Sequence, residues 1–430
     1  MTRSAALAAT FALPASLALS AFASSALLPS PLLAQRARAA SARPAQPYVP
    51  PAGSWERRSP STLGLDSAKL AEAVAFAVSK ESRTPRDLEL NHYATFGREP
   101  LGDPIGPLPP RGDATGVILK GGYVVATWGN PDAEETTNSV TKSFVSTVVG
   151  LAVDAGKIRS VHDTVASYMP PIVRARPNGR GYERDWPGND RILMPFDSPH
   201  NRRITWDHLL RQVSDWEGTL WGKPEWADRP AQNAATWTTR PREEPGKTYE
   251  YNDTRVNVLA LAALQVWRKP LPEVLKERVM DPIGASDTWR WYGYDNSWIV
   301  LDGREVQSVS GGGHWGGGMI INAWDMARFG LLTLRRGKWG ERQLLSDAWV
   351  TQALTSTPAQ KTYGYMNWFV NPDKSYLAAA PAQAFVHVGA GNNFIYVDPV
   401  NDLVAVVRWM DTTGSLNQFV EKLLAAQVSR

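Results

Sequence analysis

Between Leu65 and Ser82 the apolar residues Leu70, Ala73, Val74 and Ala77 fall three or four apart, which predicts a one-sided helix. From Val140 to Ala155 the pattern broadens. Phe144, Val148 and Leu151 form one stripe, Val145, Val149 and Ala152 the next, and Gly156-Lys157 supplies a stop. A helix apolar around so much of its circumference belongs at the centre of a domain. Val117–Leu119 and Tyr123–Thr127 flank a Lys-Gly-Gly turn and predict a hairpin. Beyond Trp324, a helical pattern at 323–335 precedes the strand-like runs YGYMNWFV, AFVHVG, NFIYV and LVAVVRW. The last two join through the turn sequence DPVND, and a final helical pattern spans 415–427.

The middle, about 157–330, is rich in Pro, Gly and Trp, with shorter helices at Thr205–Arg211 and Arg255–Trp267 and a surface loop at 176–190. Helix and strands at both ends, with an insert between them, predict an α/β (α+β) fold. The two ends build one antiparallel sheet flanked by N- and C-terminal helices, and a mostly helical lobe is inserted. The expected domain is 63–430, with a sheet lobe at 63–138 plus 330–430 and a helical lobe at 139–329.

Composition fits a globular protein: 43% hydrophobic and 20% charged in 430 residues. The net charge of +4 owes much to Arg3, Arg36 and Arg38, in a stretch without acids, so it makes no argument for nucleic acid. Residues 1–39 have a basic start, an apolar Ala/Leu/Phe run and the small-residue cleavage candidates Ala21-Phe22-Ala23 and Ala37-Arg38-Ala39. They read as a cleavable export signal rather than an uncleaved anchor, because Pro14 interrupts the apolar run, and residues 40–62 as a Pro/Ala-rich linker. The expected location is periplasmic or secreted, with no membrane span after signal cleavage and no obligate protein partner. The absence of cysteine excludes disulfides, thiol catalysis and cysteine-ligated zinc.

The chain's one Ser-x-x-Lys lies in TTNSVTKSF, where Ser139 opens the apolar helix and Lys142 follows one turn later on the same face. Two readings fit. One is a capping serine with a snorkelling lysine. The other is a nucleophile with its base, since burial at such a place disfavours the ammonium and the helix start favours negative charge at the serine. Two distant segments favour the second reading. EEPGKTYEYNDT places Pro245-Gly246 ahead of Tyr251 and a helix, and FVHVGAG places His387-x-Gly389 at a strand end. Serine with lysine one turn on, a tyrosine before a helix and a small-residue strand form a recurrent serine-acylase constellation.

With two further blocks, ITWDHLLRQVSDWEG and GGGMIINAWDMARFGLLTLRRGKWGERQLLS, the chain from about Leu63 resembles the class C β-lactamase and penicillin-binding-protein superfamily. Its nearest branches by resemblance are family VIII carboxylesterases and 6-aminohexanoate-dimer hydrolases. The resemblance implies a β-lactamase/transpeptidase-like fold with Ser139 as the acylated nucleophile, Lys142 as its base and Tyr251 as proton shuttle. It implies an oxyanion hole from the backbone N–H groups of Ser139 and Ala390, and a substrate-facing strand at His387 and Gly389. It requires neither metal nor organic cofactor.

Two departures bear on substrate. The family's Tyr-x-Asn is here Tyr251-x-Asp253, and Asp253 either pairs with Lys142, contacts substrate or starts the helix as a satisfied carboxylate. Where Lys-Thr-Gly offers a cation, this chain has His387. Both favour a small ester or linear amide. The alternatives are a β-lactamase or D-Ala-D-Ala carboxypeptidase, and a non-catalytic cell-wall-binding domain. His314, in SGGGHWGGG, either reaches the pocket or lies on the surface, and Trp216 and Trp221 are candidates for an aromatic wall.

Overall fold

A computed structural model describes residues 47–175, 191–230 and 233–428. The export-like segment and the loop expected at 176–190 lie outside the described residues. Six strands form the main sheet: β1 (Thr115–Lys120), β2 (Tyr123–Trp128), β7 (Phe369–Val370), β8 (Phe385–Gly389), β9 (Asn393–Asp398) and β10 (Leu403–Arg408). Their order is β7-β8-β9-β10-β1-β2, and all neighbours are antiparallel. The chain's two ends therefore meet where β1 pairs with β10.

Alternation along these strands sorts side chains onto two faces. Ile118, Phe394, Tyr396, Ala405 and Val407 face helices α1 (Ser67–Ser79) and α7 (Thr413–Ala425), which supply Leu70, Ala73, Ala77, Leu416, Phe419 and Leu423. Val117, Leu119, Ile395, Val404 and Val406 face the other way. There they meet α3 (Thr141–Asp154) and α6 (Ala323–Leu334). Helix α3 is buried along nearly its whole length, as its sequence demands.

The inserted lobe holds α4 (Trp206–Leu210) and α5 (Asp253–Trp267), which begins with a side-chain cap from Asn252 to the Arg255 N–H. It also carries a second, four-stranded sheet that the sequence reading did not expect. This sheet contains β3 (Glu135–Thr136), β4 (Arg290–Leu301), β5 (Arg304–Val309) and β6 (Gly318–Ile321), in the order β3-β6-β4-β5. Strand β3 leads directly into the Ser139 turn, so this sheet helps fix that turn in place.

Residues 47–62 run along the domain. The buried Arg328 guanidinium donates to the carbonyls of Pro51 and Ser54, each at 2.8 Å, and the Gly53 N–H donates to Gly284. This part of the expected linker is therefore docked. Among the described residues no helix is long and apolar enough to cross a membrane.

Candidate active site

Ser139 does not lie in α3 itself. It occupies a 3-10 turn, Asn138–Val140, that feeds the helix. Asn138 has a left-handed backbone, φ 49°, a conformation asparagine tolerates better than most residues. Its side-chain amide donates to the Ala390 carbonyl at 2.9 Å and so ties the serine turn to the β8–β9 loop. Gly389 makes the approach possible, since a Cβ there would lie 2.0 Å from the Thr137 carbonyl oxygen and 3.3 Å from the Ser139 nitrogen. Ser139 and Ala390 consequently line one cleft.

Lys142 is sealed from solvent, with Nζ 2.7 Å from Ser139 Oγ and 2.7 Å from Asp253 Oδ1. Its Nζ also donates to the Gly311 carbonyl at 3.3 Å and sits 5.0 Å from the Tyr251 ring centre. Of the three roles open to Asp253, the structure shows the pairing with Lys142, and Asp253 also begins α5. This carboxylate supplies the counter-charge that an apolar helix alone would lack. Burial opposes its ionisation, yet Lys142, then Arg229 and His314, hold its pKa well below the usual carboxylate range. Arg229 Nη2 donates to Asp253 Oδ2 at 3.0 Å and also pairs with Asp228. Burial, then the Asp253 charge, push Asp228 upward.

Tyr251 precedes α5, and its ring centre lies 5.0 Å from Lys142 Nζ. Desolvation of the oxygen, then Asp253, push its pKa well above that of a free tyrosine, so it rests as a neutral phenol. Ser139 and Lys142 therefore converge with Tyr251 and Asp253 from two segments more than a hundred residues apart.

His314 lines the same cleft, with a side chain only 3% exposed. Its Nδ1 lies 3.0 Å from Asp253 Oδ2 and its Nε2 3.0 Å from Glu99 Oε2. Both carboxylates raise its pKa against the opposing effect of burial. The cleft is narrow, about 70 Å³, and is roofed by Leu88, His92 and Phe96, residues in or just beyond helix α2 (Leu88–Thr95). Lys223 fastens this roof through bonds to the Leu101 and Asp103 carbonyls.

Three expectations need correction. His387 does not face the cleft. It shares a strand face with Phe385 and pairs in register with the interior Ile395, so its ring is fully buried. There it contacts Ser143 Oγ at 2.8 Å and packs edge-on against Trp368, centroids 4.9 Å apart. Burial pushes its pKa down to about 3, so it offers no cation to a substrate. Trp216 and Trp221 are core residues, 2% and 3% exposed, and do not line this cleft. The Trp216 indole N–H is spent on the Pro195 carbonyl, and Trp221 stacks under Arg174.

Arg229, Asp228, Glu99 and Asn138 were not foreseen. Only Asn138 had a local signal, an asparagine next to the serine in a turn.

The match to known proteins agrees with this architecture. The chain belongs to the beta-lactamase family, whose model matches residues 110–423. A curated relative, the 6-aminohexanoate-dimer hydrolase of Paenarthrobacter ureafaciens, is 25% identical over 276 residues, 60% of this chain. The chain spans 62% of that relative's length. Among solved structures, a penicillin-binding protein homologue from Caulobacter crescentus aligns with a TM-score of 0.53 at 13% identity, covering 87% of this chain and 99% of that one. A beta-lactamase/D-alanine carboxypeptidase from Pseudomonas syringae aligns with a TM-score of 0.50 at 14% identity, over 73% and 93%. At such identities these structures speak for the fold alone.

Proposed function

We propose that this chain is a serine hydrolase that cleaves a small ester or linear amide through an acyl-enzyme on Ser139. The observation that carries the reading is the line Ser139–Lys142–Asp253, with both contacts at 2.7 Å. It reproduces the logic of a nucleophile, a base and a group that orients the base. Ser139 Oγ attacks the carbonyl carbon while its proton passes to Lys142 in its amine form. Asp253 stabilises the ammonium that results. The Ser139 and Ala390 N–H groups receive the developing oxyanion. Tyr251 gives its phenol proton to the leaving alcohol or amine as the scissile bond breaks and takes the proton held by Lys142 in exchange, which returns Lys142 to its amine. Water then attacks the acyl carbon while its proton passes to Lys142, and as the acyl C–Oγ bond breaks that proton returns to Ser139 Oγ, releasing the acid.

The substrate class rests on three supports. Burial of His387 removes the cation that would attract a β-lactam carboxylate. Asp253 stands where an asparagine would bind a substrate amide. The curated relative is named for the hydrolysis of a 6-aminohexanoate dimer. The cleft of about 70 Å³ under its roof favours a slender acyl chain. A panel of p-nitrophenyl acetate, butyrate and octanoate, beside the aminohexanoate dimer and a penicillin, tests this. Turnover of the short esters or the dimer, lost in Ser139→Ala, is expected. Equal rates in both proteins would sink the reading.

A further inference from the structure

Both ring nitrogens of His314 face carboxylates, Nδ1 towards Asp253 and Nε2 towards Glu99, each at 3.0 Å. A neutral imidazole has one N–H and can serve only one of them, whereas the imidazolium serves both. The charges around the ring come from every element packed on it. Glu99 and the ring-stacked His92 belong to the roof. Asp228 lies 3.7 Å from Nδ1, with Arg229 beside it on the same loop. Asp253 opens α5, and Lys142 on α3 lies one contact further in. Three acids, Glu99, Asp228 and Asp253, thus face Lys142, Arg229 and His314, and the ring's second proton offsets the charge of Asp253 most when Lys142 is an amine.

We propose that His314 is a positioning residue, whose imidazolium shares the charge of Asp253 with Lys142 and thereby sets the pH range in which Lys142 takes the Ser139 proton. The inference rests on the acyl-enzyme reading above and deepens it. Loss of the ring's charge leaves Asp253 more strongly committed to the Lys142 ammonium, and the base is harder to free. Glu99 extends the link to the roof of the cleft, so the same ring joins the substrate cover to the base. Glu99, Asp228 and His314 donor atoms all lie within 4.8 Å of one another. Each is already engaged, by the ring or by Arg229, which makes the cluster an ion-pair network rather than an open cation cage.

The test is the rate of Ser139 labelling by a fluorophosphonate as a function of pH, in wild type, His314→Gln and His314→Asn. The asparagine variant keeps a donor for Asp253 but no charge, which separates charge from packing. The rising limb is expected to move up by about one pH unit in both variants, roughly tenfold slower labelling at a fixed pH on that limb, with the alkaline plateau retained. A uniform loss at all pH values, or an unshifted limb, would overturn the role of His314. Unlabelled wild-type protein would instead refute the acyl-enzyme itself. As a readout free of turnover, NMR titration of the His314 ring should place its midpoint above an ordinary histidine, and Glu99→Gln should lower it. An ordinary midpoint contradicts the proposal. Labelling lost in EDTA and restored by a divalent cation would also overturn it, by making the cluster a metal site.

Discussion

Lys142 Nζ and Asp253 Oδ1 lie 2.7 Å apart, and both side chains are at most 1% exposed. A buried pair of this kind is costly to break from one side, because the survivor is left as an uncompensated charge. Asp253→Asn restores the family's tyrosine-x-asparagine pattern, yet here it strips the counter-charge from Lys142 and half the anchorage of Arg229. Urea unfolding should show a loss of about 3 kcal/mol. The rate of Ser139 labelling should fall by roughly a hundredfold at the alkaline plateau, since the ammonium formed by proton transfer loses its partner. A variant as stable and as reactive as wild type would show that the pair is incidental.

His387 gives a pH-dependent stability. Its folded-state pKa is depressed to about 3 by burial, while the unfolded chain protonates near 6.5. The stabilisation is therefore fully present above pH 6.5 and is lost as pH falls towards 3. Each pH unit in that window costs about 1.4 kcal/mol, so unfolding at pH 5 should require about 2 kcal/mol less than at pH 7 from this residue alone. His387→Gln should flatten the slope relative to wild type while leaving the fluorophosphonate reaction in place. An unchanged slope contradicts the burial argument.

Asn138 tests the tie between the serine turn and the oxyanion loop. Asn138→Gly keeps the left-handed backbone, φ 49°, but loses the 2.9 Å bond to the Ala390 carbonyl. The expected outcome is a kcat lower by about tenfold with KM little changed, because the tie positions donors used only when the oxyanion forms. Asn138→Ala should add a stability loss of about 1 kcal/mol from backbone strain. A pure KM effect in the glycine variant would place Asn138 in substrate binding instead.

Gly389→Ala inserts a methyl 2.0 Å from the Thr137 carbonyl oxygen, a contact with backbone that no side-chain rotation relieves. Strand β8 and the Ser139 turn must separate. Labelling at Ser139 should drop at least tenfold, with a lower melting temperature. Retention of wild-type labelling would mean the two segments are not held in register by this contact.

The sequence made the frame legible because its periodicities are clean. The one-sided Leu70–Ala77 stripe, the all-round apolar α3 and the alternating strands β8–β10 each occur within three residues of their expected bounds. The run YGYMNWFV reads as a strand but joins the sheet only at Phe369–Val370, with Tyr363 folded back to bridge Phe369, since Asn367, φ 62°, breaks the extended backbone. Strand β4 was hidden because Asp295-Asn296-Ser297 interrupts its pattern where the register shifts between Gly293 and Trp298. The motif residues Ser139, Lys142 and Tyr251 were recoverable from spacing and resemblance. Their supporting charges were not, because Glu99, Arg229 and His314 come from segments more than eighty residues apart with no local signature. For His387 the signal was present and overridden. Alternation along Phe385-Val386-His387-Val388 already puts the histidine on the face of Phe385, whereas the motif's position suggested the pocket.

The most direct test of the central claim is intact-protein mass spectrometry after exposure to a fluorophosphonate, followed by peptide mapping, on wild type and Ser139→Ala. The account predicts one adduct per wild-type chain, located on Ser139, and no adduct on the variant. An adduct of equal yield on the variant, or one mapped to another residue, would contradict it.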